Sequence, residues 1–117
     1  MEIKNARIES TMLGYEDHGV FTCMLHFDYG EHGGQGFGGY ALSGKNPKDS
    51  YYKNQYCAMF IEGILKTVGV EKWEDLIGKH VRVEAEFDGI KRIGNILEDI
   101  WFDPKKLHEE TIPHEKF

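Results

Sequence analysis

Cysteine and proline are scarce: the chain has two Cys and three Pro among its 117 residues. Cys23 and Cys57 sit inside apolar patterns, in no CxxC pair and no dense cysteine ladder. That argues against a disulfide scaffold and predicts two buried free thiols in a reducing compartment. Long hydrophobic runs are missing as well. The longest, Tyr56 to Ile61, falls far short of the roughly 20 residues that a membrane-spanning helix needs. The opening MEIKNARIES carries no secretory hydrophobic region. Excess positive charge is also lacking. Fourteen basic against twenty acidic side chains leave a net charge of -6, which argues against coating duplex nucleic acid but leaves room for a local basic pocket.

The usual catalytic and metal signatures are missing too. The histidines at 18, 26, 32, 80, 108 and 114 form no HExxH, and no Asp-rich calcium loop is present, so no metal or cofactor is expected. Cys23 and Cys57 lie on predicted core faces, where an apolar setting suppresses the thiolate. Glu84 and Glu86 share one polar strand face, where solvation is the ordinary fate of a carboxylate. A hydrolase would need an acid-base pair such as Glu16 or Asp17 with His18. No catalytic residue is assigned.

What is present organises into one α+β domain over residues 1–110, with 111–117 expected to be a frayed tail. The fold predicted is an antiparallel sheet of about five strands with one main amphipathic helix packed on it. Lys4 to Thr11 alternates as a half-exposed strand, and Val20 to Tyr29 places Phe21, Cys23, Leu25, Phe27 and Tyr29 on one apolar face. Between them LGYEDHG reads as a loop. Gln35 to Leu42 is a third, glycine-rich strand, and SGKNPKDS (43–50) a connecting loop. From Gln55 to Val68 the residues Cys57, Phe60, Ile61, Ile64 and Val68 form a helical stripe closed by Gly69. A helical turn over Glu71 to Ile77 comes next. Val81, Val83, Ala85 and Phe87 then alternate with charged residues, and Asp88-Gly89 predicts a tight hairpin turn into a strand from Ile90 to about Trp101. Lys105 to Glu110 reads as a short polar helix.

Two segments point to a ligand. Gly30 to Gly39 holds six glycines; it runs on into a strand rather than a helix and lacks a P-loop ending, so it is no dinucleotide fingerprint. Its glycines suit either close packing against a neighbouring strand or subunit or direct ligand contact, in which Gln35 and Phe37 would take part. If Asp88-Gly89 is a two-residue turn, Arg92 emerges beside Phe87, pairing a phosphate clamp with an aromatic surface for a base. A bulge would instead turn Arg92 away and leave Ile93 and Leu97 inward. Asn95 could read a base edge or ribose hydroxyl, or simply bond to backbone. The candidate ligand residues are therefore Arg92, Phe87, Asn95, Gln35 and Phe37.

The ordered segments MEIKNARIESTMLGYEDHGVFTC, GQGFGGYAL, VGVEKWEDLIGKHVRVEAE, RIGNILED and WFDPKKL resemble a family of small phage and prophage proteins, the first-described Thoeris anti-defence sponges, over most of residues 1 to 107. The resemblance implies a protein of the host cytoplasm that sequesters a cyclic ADP-ribose isomer without degrading it, as a symmetric homo-oligomer, with cyclic oligonucleotides as further ligands of some members. It implies no site residue by position. The loop from Ser43 to Tyr52 is where this chain is expected to depart from the family's pattern. Two other readings compete: an acidic phage protein that inhibits a host enzyme by direct binding, and a hydrolase of the same signals.

Overall fold

The strictly alternating segments become the heart of the sheet. A computed structural model describes residues 2–117, His32 by its backbone alone. The strands are β1 (Glu2–Tyr15), β2 (Phe21–Asp28), β3 (Gly34–Gly38), β4 (His80–Glu86), β5 (Gly89–Asn95) and β6 (Trp101–Phe102). The helices are α1 (Pro47–Val68) and α2 (Pro104–Thr111), and single 3-10 turns occupy Gly30–His32 and Trp73–Asp75. The six strands form one antiparallel sheet ordered β3-β2-β1-β4-β5-β6. The architecture is α+β, with α1 laid on the apolar face. No helix among the described residues is long and apolar enough to cross a membrane.

Cys23, Leu25, Phe27, Val81, Val83 and Ala85 are all buried, as their alternation requires. Strand β1 serves two neighbours: its first half pairs with β4 and its second with β2, with an irregularity between Ile8 and Ser10 where the strand changes register. The sheet curls until its ends approach. Gln35 Nε2 donates to the carbonyls of Glu86 at 2.8 Å and Phe87 at 3.4 Å, tying β3 to the β4–β5 hairpin without a strand ladder.

Helix α1 begins at Pro47, eight residues before the apolar stripe suggests. Asn46 caps it, accepting from the Asp49 amide at 2.9 Å, and proline at the first position needs no donor. The buried face runs through Lys53, Tyr56, Phe60, Ile64 and Thr67 rather than Cys57, Ile61 and Val68. Phe60 anchors it, with ring centroids 4.9 Å from Phe102, 5.6 Å from Tyr56, 6.0 Å from Tyr40 and 6.2 Å from Phe37. The helix ends where expected, with Gly69 at φ +89°.

The β4–β5 hairpin corrects the expected register. Glu86 pairs with Gly89, so the two turn residues are Phe87 and Asp88, and the register then slips between Glu84, opposite Arg92, and Ala85, opposite Ile90. Lys91 is the extra residue of a bulge. The reason lies in packing: Ile90 and Ile93 are both buried, three residues apart, which a strand of period two cannot arrange without an inserted residue. The bulge reading holds for Ile93, but Leu97 is 89% exposed in the loop between β5 and β6.

Segment 111–117, expected to be frayed, packs back on the helices. Ile112 is fully buried, Lys53 meets Glu115 at 3.2 Å, and the Phe117 ring lies 5.0 Å from Tyr40.

Candidate functional site

The bulge that corrects the hairpin also builds the site. It turns Arg92 to the face of Glu84 and away from Val81 and Val83. Arg92 Nε donates to Glu84 Oε2 at 3.1 Å, and Nη2 donates to the same oxygen. The guanidinium carbon lies 4.7 Å from the Trp101 ring centroid, and that of Arg82 lies 4.9 Å away. Trp101 lies directly over Gly94, where a Cβ would come within 2.7 Å of the indole. The bond to Glu84 keeps Arg92 charged, and none of the described hydrogen bonds uses Nη1. Its Nη1–Nη2 edge thus retains N–H groups for a bidentate contact with an anion.

Arg92 opens on a cavity of about 330 Å³. Lys91 and Lys105 are its other cations, Glu84, Glu86 and Asp103 its carboxylates, and Tyr40 and Phe117 its rings. The carboxylates are not all free to repel an anion: Glu84 holds Arg92, and Asp103 caps α2 by accepting from the amides of Lys105 and Lys106. Lys91 is tethered to Asp88 at 3.0 Å, a bond that raises the ammonium and lowers the carboxyl from their ordinary values. Tyr40 arrives because the chain turns after β3 through Gly38 and Gly39, at φ +108° and +84°. Burial raises its phenol, so it presents a neutral ring and hydroxyl.

The five sequence-predicted residues do not converge. Phe87, expected beside Arg92, stands in the hairpin turn and is fully exposed. Gln35 lines a second cavity of about 440 Å³ with Phe87, Lys4 and Tyr29, next to the first at Glu86. Its amide is already committed, accepting from the Tyr29 hydroxyl at 2.7 Å and donating across the curled sheet. Phe37 is 1% exposed between Phe60 and Phe102, which removes it from ligand contact. Asn95 is spent on structure: Nδ2 donates to the Thr67 carbonyl, and Oδ1 accepts from the amides of Leu97 and Glu98. Only Arg92 keeps a free donor edge.

The glycine strand has its reason inside the chain. A Cβ at Gly34 would sit 2.1 Å from the Phe27 carbonyl oxygen, and one at Gly38 would sit 2.3 Å from that of Cys23. Glycine there permits close approach of β3 to β2. The residues that sequence reasoning missed are Lys91, Tyr40, Lys105 and Phe117. The adjacent Lys91-Arg92 pair next to two isoleucines spaced by three was the available signal for the first; nothing local marks the others.

Among the described residues no group of three His, Cys, Asp or Glu side chains is placed to hold a metal ion; the His32 side chain lies outside them. Burial pushes the Cys23 thiol up to about 12, and raises Cys57 as well. A disulfide-exchange reagent at neutral pH should therefore leave Cys23 unmodified in the native protein and react with it once guanidinium unfolds the chain. Rapid native modification of Cys23, read by mass spectrometry, would contradict its enclosure. Comparison with protein-family models and with curated proteins gives no match for this chain.

Proposed function

We propose that this protein binds a cyclic nucleotide of the cyclic ADP-ribose class without turning it over, in the cavity of Arg92, Lys91, Lys105, Tyr40 and Phe117. One observation carries the reading: a guanidinium pre-oriented by Glu84, with an unused bidentate edge, opens on a cavity that also holds two aromatic rings. Cations match the phosphates of such a ligand and rings match its base. The sequence resemblance to Thoeris anti-defence sponges supports the identity of the ligand. On this reading the protein acts in the host cytoplasm, removing an immune signal by stoichiometric capture.

The reading includes a homo-oligomer. Strand β3 ends the sheet, so one of its sides has no strand partner among the described residues, and a chain of 13.5 kDa has little surface with which to enclose a polar ligand alone. Light scattering during size-exclusion chromatography should return a mass of at least two chains.

Calorimetry with cyclic ADP-ribose isomers should show saturable binding, and heat denaturation should release the nucleotide intact. Linear product at many turnovers per chain would replace capture with hydrolysis. Phe87 supports a second reading, direct inhibition of a host enzyme: an exposed phenylalanine at a hairpin tip, flanked by Glu86 and Asp88, suits insertion into a basic-rimmed cleft. Co-purification of a host protein that Phe87→Ala abolishes, with no nucleotide bound, would establish that reading instead.

A further inference from the structure

The segment after α2 folds back on the helices through contacts with buried partners, although its residues 113–117 are themselves exposed. Ile112 is fully buried, and its amide donates to the His108 carbonyl at 2.7 Å. Lys53 on α1 is only 7% exposed, and its Nζ lies 3.2 Å from Glu115 Oε1. A buried ammonium with one carboxylate partner is strongly dependent on that partner. Next to the pair stands His108, 4% exposed, with Nε2 4.0 Å from Glu115 and Nδ1 without a hydrogen-bond partner among the described residues. The His114 ring packs on Tyr52 at 4.4 Å, and the Phe117 ring spans His108 at 5.3 Å and Tyr40 at 5.0 Å. Phe117, 46% exposed, thereby lines the Arg92 cavity.

We propose that residues 112–117 are a strap latched by Lys53 and Glu115, and that this latch positions Phe117 against the Arg92 cavity. For its ligand the inference rests on the reading above; the latch itself stands on the contacts just described. The groups facing His108 are Lys53 and Tyr56 from α1, Glu115 and His114 from the strap, and Glu109 from its own helix. Burial, then the Lys53 charge, hold the imidazole below its ordinary value, so the latched state keeps it neutral.

Hydrogen exchange of the strap amides reads the latch without any nucleotide. In the wild type the amides of Ile112 and Glu115, bonded to the carbonyls of His108 and Ile112, should be protected near pH 7.5. Lys53→Met and Glu115→Gln should lose about tenfold of that protection, while sheet amides stay protected and Lys53→Arg retains it. Strap protection unchanged in both Lys53→Met and Glu115→Gln would overturn the latch. Calorimetry with a cyclic ADP-ribose isomer then reads the positioning role: Glu115→Gln and Phe117→Ala should weaken affinity alike, by about fivefold to tenfold. A released strap with wild-type affinity would remove Phe117 from the site. Should the wild type bind no nucleotide, the functional reading fails, and the exchange experiment alone decides for or against the latch.

Discussion

Phe60→Ala should remove about 3–5 kcal/mol of folding stability, the usual loss for truncating an enclosed phenylalanine. Phe60 has no exposed surface and stands amid the rings of Phe37, Tyr40, Tyr56 and Phe102. It is the contact through which α1 grips β3, β6 and the turn at Tyr40. A domain of this size has about 5–15 kcal/mol in total, so the variant should sit near the edge of folding at physiological temperature. The denaturant midpoint should fall with the slope nearly unchanged. Phe87→Ala is the internal control: its ring is fully exposed and its removal should leave the midpoint within about 0.5 kcal/mol. Equal effects of the two substitutions would mean that the ring cluster does not hold the helix to the sheet.

That contrast marks where sequence patterns carry information. Two phenylalanines, each in an apolar-looking run, end in opposite environments. Phe60 was legible because helical spacing links it to Ile64. Phe87 was not, since its membership of the Val81, Val83, Ala85 series holds only until the strand stops, and the residue that ends a strand is fixed by turn geometry. The Asp88-Gly89 pair suggested the wrong two turn residues. Gly89 does adopt a positive φ of +142°, but as the first residue of the returning strand. The apolar spacing of Ile90 and Ile93 already contained the bulge that shifts Arg92.

Polar burial was the other blind spot. Lys53 and Thr67 lie on the inner face of α1, and no hydrophobic period can announce them. Lys53 is buried because Glu115, far along the chain, comes to meet it. The same long-range pairing explains why a polar segment ending in Phe117 read as a frayed tail. The start of α1 at Asn46-Pro47 lies inside the turn-forming SGKNPKDS, read as a loop, whose exposed Lys48 and half-buried Asp49 and Ser50 belong to a first helical turn. The site followed the same logic. Arg92 was a candidate on a hairpin register that the bulge overturns, and Tyr40, Lys105 and Phe117 line the same cavity only through contacts between elements.

Arg92→Ala should weaken binding of a cyclic ADP-ribose isomer by about tenfold or more. Loss of a charge-assisted bond to a phosphate costs about 1.5–3 kcal/mol, and each 1.4 kcal/mol is about one decade. The single variant has a second effect, because the Glu84 side chain is only 13% exposed and loses its partner. Breaking a largely buried pair from one side leaves an uncompensated charge, so Arg92→Ala should also lower the denaturant midpoint. Combining it with Glu84→Gln removes that charge and should recover most of the stability while affinity stays low. Arg92→Lys should restore only part of the affinity, since a point charge does not reproduce the bidentate edge. Calorimetry beside denaturant titration on all four proteins separates the two effects. Wild-type affinity in the Glu84→Gln, Arg92→Ala double variant would place the ligand elsewhere and leave Arg92 with a purely structural role, holding Glu84 and stacking on Trp101.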